Sequence, residues 1–98
     1  MIRHILLVQF KASAKTTDID KVRALFEAMP GKIDGVVSVE WGENDSPEGL
    51  NKSYTHAVLM TFSDHDARER YLPHPEHDAL KAVFVPLVED IVVLDYSV

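Results

Sequence analysis

Two segments of this chain are apolar on both sides of a strand, and that feature limits the fold more than any other. Ile2–Phe10 reads IRHILLVQF, with apolar residues at consecutive positions from Ile5 to Val8. Successive strand residues point to opposite faces. Ile2, Leu6, Val8 and Phe10 therefore share one face, and Ile5 and Leu7 the other. Tyr54–Phe62 repeats the pattern, with Val58, Met60 and Phe62 on one side and Ala57 and Leu59 on the other. A sheet of such strands needs a cover on both faces.

The remaining elements supply one cover. Thr17 or Asp18 can cap a helix in which Ile19, Val22, Leu25, Phe26 and Met29 recur at helical spacing, and Pro30-Gly31 is expected to end it. Val36–Trp41 alternates as a second strand. The polar loop Gly42–Ser53, with its Ser46-Pro47-Glu48 turn, leads to the strand Tyr54–Phe62. A short helix from Asp64 or Asp66 runs through Tyr71 and breaks at Pro73. Pro75 suits the first turn of another helix, which lines up His77, Leu80, Phe84 and Leu87. Ile91–Val98 is the last strand.

The order β-α-β-β-α-β predicts an α+β fold: a ferredoxin-like protomer with a four-stranded antiparallel sheet and its helices on one face. Helices on one face leave the other bare, and an apolar face of that extent marks an interface. Two copies packed sheet to sheet would enclose it as a dimeric α/β barrel, so a homodimer is expected from the covering argument alone. With 98 residues, a single domain spanning 1–98 is expected.

Composition removes several classes of function. The chain has no cysteine, so disulfides, thiol nucleophiles and cysteine-based metal sites are excluded. Its formal net charge of −6 repels phosphate backbones, and no basic cluster interleaved with aromatics offsets it, so no nucleic-acid partner is expected. The opening apolar stretch is too short to span a bilayer and lacks a basic leader, which points to a cytoplasmic protein with no membrane partner. No GxSxG elbow and no glycine-rich phosphate loop occurs.

The chemistry rests with histidines. His4 shares its strand face with Ile2, Leu6 and Val8, and His56 shares its own with Tyr54, Val58 and Met60, so the two are expected to approach each other in one cavity. Tyr71-Leu-Pro-His-Pro-Glu-His77 brings a tyrosine and His77 to the two sides of a helix break, while His65 reads as an exposed helix start. On one reading an imidazole acts as a general base near neutral pH, and Tyr71 donates to a developing oxyanion. On the plain alternative His4, His56 and His77 are hydrogen-bonded core residues in a non-enzymatic stress-response or ligand-binding module. A zinc or iron site on His74 and His77 is a third reading, with Pro73 and Pro75 disturbing its geometry and no third ligand fixed by spacing. The expectation is no tightly bound metal and no cofactor.

Taken together, His4–Lys11, Pro30–Gly35, Gly42–Leu50, Tyr54-Thr-His56, Tyr71–His77 and Asp95-Tyr96 resemble the stress-responsive dimeric α/β-barrel (Dabb) family over nearly the whole chain. The resemblance implies a ferredoxin-like protomer that dimerises. It does not imply one activity, since many members have none assigned. A plant member that closes a linear polyketide by aldol condensation carries its tyrosine and histidine at Tyr71 and His77, and its strand histidines at His4 and His56. By that likeness His77 removes an activated α-proton, Tyr71 steadies the oxyanion, and His4, His56, Leu80 and Val88 face the substrate. Leu80 and Val88 replace a phenylalanine and a tryptophan of that member, which argues for a differently shaped pocket. Some plant members also hold magnesium on backbone carbonyls after the first helix. The matching stretch here is Pro30–Val36, where backbone ligands leave no side-chain signature. A fold-level analogy also admits a cofactor-free monooxygenase.

Overall fold

The computed structural model describes residues 1–98. Its elements run β1 (Ile2–Phe10), α1 (Thr16–Glu27), α2 (Met29–Lys32), β2 (Val36–Glu43), β3 (His56–Phe62), α3 (His65–Tyr71), α4 (Pro75–Phe84), a 3-10 turn (Val85–Leu87) and β4 (Val88–Ser97). The strands form one four-stranded sheet in the order β2-β3-β1-β4, every pair antiparallel. This is the ferredoxin-like α+β arrangement that the element order predicts.

Several boundaries differ from the sequence reading, for local reasons. Neither Thr17 nor Asp18 caps α1. Lys15 takes that position, and Asp18 reaches back at N3 to accept the Lys15 N–H at 3.2 Å. Pro30-Gly31 does not simply end the first helix, because both residues lie inside the one-turn helix α2, where a proline in the first turn sacrifices no hydrogen bond. The second strand extends to Glu43, and the third begins at His56 rather than Tyr54. The last strand starts at Val88, three residues earlier than expected, because Pro86 cannot continue α4 as a helix.

The helices cover one face of the sheet. Val22, Phe26 and Met29 from the first two helices, Ala67 and Tyr71 from α3, and Leu80 and Phe84 from α4 are all buried. They meet Ile2, Leu6, Val8, Val58, Met60 and Phe62, the strand residues that alternation assigned to that side. One close approach requires glycine. Gly35 has φ +91, and a Cβ there would fall 2.5 Å from the Ala67 Cβ, so only glycine lets α3 settle against the start of β2.

The opposite face carries no helix. The register sets Ile5 beside Leu59 and Leu94, and Leu7 beside Ala57 and Val92. These rows make a continuous apolar surface in which Leu94 is 54% exposed. The helices also stop short of the edge strand β4, so that even on their side Val93 is 55% exposed. No helix is long and apolar enough to cross a membrane.

Candidate functional site

A cavity of about 250 Å3 opens between α1, α3 and α4 and the β1–β4 edge of the sheet. Leu6, Phe26, Leu80, Phe84, Ile91 and Val93 supply most of its apolar wall. His4, Tyr71 and His77 bring polar groups into it, and Lys81 stands among the lining residues.

The chain break between α3 and α4 places Tyr71 and His77 together. Tyr71 ends α3, and the His74 N–H closes a turn onto the Tyr71 carbonyl at 3.0 Å. His74 then caps α4, its Nδ1 accepting the Glu76 N–H at 3.1 Å, and Pro75 takes the first helical position. One turn later the His77 ring lies over the Tyr71 ring, centroids 4.2 Å apart and planes inclined by 32°. The His77 Nδ1–H donates to the Leu72 carbonyl at 2.9 Å, which leaves Nε2 as the nitrogen able to accept a proton. Burial depresses the His77 pKa, and the Lys81 ammonium presses in the same direction, so the imidazole is neutral at neutral pH. Burial moves Tyr71 the other way, keeping its phenol protonated and a hydrogen-bond donor.

His4 forms the second polar wall. Its Nδ1 meets Asp95 Oδ1 at 2.6 Å, a pair set by direct cross-strand register between β1 and β4. The second carboxylate oxygen of Asp95 accepts from Arg68 at 3.2 Å. A carboxylate partner holds the proton on Nδ1 and fixes the ring, leaving Nε2 as the open nitrogen. The ring packs beside Tyr71, with centroids 6.3 Å apart, and beside Phe62 at 5.7 Å.

The other expected residues divide. Leu80 is buried in the cavity wall. His56 does not join His4. It pairs with Val8 while His4 pairs with Met60, and four strand residues separate the two sites by roughly 13 Å. His56 instead packs at the far end of the covered face against Phe10 and Trp41, at 5.0 and 5.5 Å, with Thr55 Oγ1 at 2.7 Å from its Nδ1. Val88 does not line the cavity either. It begins β4 and packs partly buried against the core, not in a last helical turn. His65 is exposed, with Nδ1 3.3 Å from an Arg68 nitrogen. No three His, Asp or Glu side chains gather as a metal-binding group.

Sequence reasoning missed Asp95 and Arg68 as the clamp on His4. One signal for Asp95 existed: it is the lone charge within the otherwise apolar run from Ile91 to Leu94 and on to Tyr96. Its partner depended on register and had no counterpart in composition.

Comparison with known proteins places the chain in a family and a fold. A family model described as the stress responsive A/B barrel domain matches residues 2–98. A stress-response A/B barrel domain-containing protein of Arabidopsis thaliana is 35% identical over 97 residues, covering 98% of this chain and 85% of its own. Olivetolic acid cyclase of Cannabis sativa is 22% identical over 96 residues, covering 98% of this chain and 95% of its own. Among solved structures, hydroxynitrile lyase from Passiflora edulis superposes with a TM-score of 0.93 at 25% identity, covering 99% of this chain and 92% of that one. Other structures of this fold, at TM-scores from 0.75 to 0.87, are described as dimeric ferredoxin-like proteins.

Proposed function

This chain belongs to the stress-responsive A/B barrel domain family, and from that premise we propose that it works as a homodimer, each protomer holding a small carbonyl compound for cyclase- or lyase-type proton abstraction. The single domain 1–98 is the functional unit, and two bare sheet faces close on each other in the dimer. In each cavity His77 Nε2 takes an α-proton from the carbonyl compound. The electron pair left behind moves onto the carbonyl oxygen, where the Tyr71 hydroxyl donates a hydrogen bond. The proton then returns from His77 to carbon or to a leaving group, which restores the neutral base. His4, held by Asp95, orients the ligand, and Leu80 shapes the wall beside it.

The observation that carries this reading is the Tyr71–His77 stack at 4.2 Å on the cavity wall, with His77 neutral and its Nδ1 already engaged. A cyclase among the relatives and a lyase among the solved structures of this fold support an enzymatic use of the cavity. The cavity's 250 Å3 falls below the roughly 300–1,000 Å3 of sites for drug-sized ligands, which suits a compound of one small ring or less.

Acetophenone in deuterated buffer tests the proposal, because loss of its methyl proton signal reports α-proton removal. The wild-type protein is expected to accelerate the exchange. His77→Ala should lower the rate by about 10²-fold or more, with the dimer still folded, and Tyr71→Phe should slow it by removing one donor. A merely structural His77 gives the opposite pair of results: a lower melting temperature and no change in acetophenone affinity.

A further inference from the structure

Lys81 is the one residue of the cavity wall with a fixed charge; the other polar members are His4, Tyr71 and His77. It lies one helical turn beyond His77 on α4, and residues four apart share a helix face. We propose, building on the reading of the cavity as a carbonyl-compound site, that the ligand carries a carboxylate next to its carbonyl, and that Lys81 is the specificity residue that selects it.

Three observations support a ligand-facing role. The ammonium is close enough to the His77 imidazole to act on its charge state. Its protein partner is a weak competitor: Lys81 Nζ lies 3.3 Å from Asp78 Oδ1, and the two side chains are 46% and 62% exposed. Exposed helix pairs of this kind contribute little, so a ligand carboxylate can take the ammonium from Asp78 at little cost. The setting is also exceptional, because a chain of net charge −6 does not gather anions on its general surface. Lys81 lies in the last turn of α4, in the same cavity wall as Tyr71 and His77, so a carboxylate held there would leave the neighbouring carbonyl on the side of those two groups. In the free protein the same ammonium disfavours protonation of His77.

Benzoylformate and acetophenone test this, since they differ only in a carboxylate against a methyl group on the same aryl ketone. Titration calorimetry on the wild-type protein should show benzoylformate binding about five- to tenfold more tightly, as expected for a charge-assisted contact at a half-exposed site, with the preference shrinking as salt is raised. Lys81→Met keeps the aliphatic stem and should erase the preference while acetophenone affinity holds. Lys81→Arg should retain it, and Lys81→Glu should reverse it. Acetophenone bound equally well with no preference for benzoylformate, or a preference that survives in Lys81→Met, would overturn the anionic ligand class alone. Failure of both ketones to bind the wild-type protein would overturn the cavity reading, and this inference with it.

Discussion

The two faces of this sheet are built from the same kinds of residue and meet different surroundings. On one, Leu6, Val8, Val58 and Met60 lie under helices and are buried. On the other, Leu7, Val92 and Leu94 have no helix over them and remain open in the protomer. The covered face also carries polar chemistry: His4, Asp95 and Arg68 form a connected chain there, and Tyr71 and His77 hang from the helices above. The bare face has fewer such contacts: Arg3 donates to Thr61 at 2.9 Å, and at one end Tyr54 Oη donates to Asp90 Oδ2 at 2.8 Å. A face that is mostly apolar is suited to packing against another such face, and a face with oriented imidazoles is suited to a ligand.

The largest expected effect breaks the bare face. Leu94→Asp places a carboxylate where the partner's apolar face would bury it, at a cost of about 3 kcal/mol or more. Light scattering should then show an 11.0 kDa monomer or unfolded chain in place of the dimer. Leu50→Asp is the matched control, since Leu50 is 70% exposed in the β2–β3 loop and away from either face. It should leave the mass unchanged. A dimer that survives Leu94→Asp would mean that something else covers the bare face.

An intermediate effect is expected on the covered face. Asp95→Ala removes the acceptor from His4 and Arg68 together, leaving the buried Nδ1–H without its partner. Denaturant titration should show a loss of about 1–3 kcal/mol. The variant should also loosen the His4 ring and so slow acetophenone exchange, although Tyr71 and His77 are untouched. Unchanged stability would show that water replaces Asp95 without loss, and the contrast in polarity between the faces would then lack structural weight.

How far this contrast was legible in the sequence differs between backbone and site. Alternation in Ile2–Phe10 and His56–Phe62 places Ile2, Leu6, Val8, Val58, Met60 and Phe62 on the covered face and Ile5, Leu7, Ala57 and Leu59 on the other, as observed, because the period of two admits no other assignment once the strands are recognised. Tyr54, expected beside His56, lies before the strand begins. The Tyr71–His77 pairing was legible too, since Pro73 and Pro75 force a turn between them. His56 was not. Its distance from His4 depends on the antiparallel register of β1 with β3, and that follows from where each strand begins, which the polar loop conceals. Val88 was misplaced for a different reason. Pro86 stops the helix early, so the residue expected on a last helical turn opens a strand. The clamp of Asp95 on His4 required the same knowledge of register, this time between β1 and β4.

The smallest expected effect is a pH dependence confined to the covered face, and it follows from His77. Burial lowers its folded pKa below the ordinary value of 6.5, so between the two values the unfolded chain binds a proton that the folded protein refuses. Stability from this residue is therefore complete above pH 6.5 and declines as the pH falls towards the folded value, below which the penalty is constant. Melting temperatures of the wild type and His77→Gln, compared across pH 5–8, isolate the contribution, because the two proteins differ only at that ring. The wild type should lose more stability than the variant on acidification. Acetophenone exchange should fall in the same direction but at lower pH than for an ordinary histidine, since the base is lost only when the folded protein takes up the proton. Coincident curves for the two proteins would show that the ring over Tyr71 is as well solvated as a surface histidine. The covered face would then offer no tuned base, and its difference from the bare face would reduce to packing.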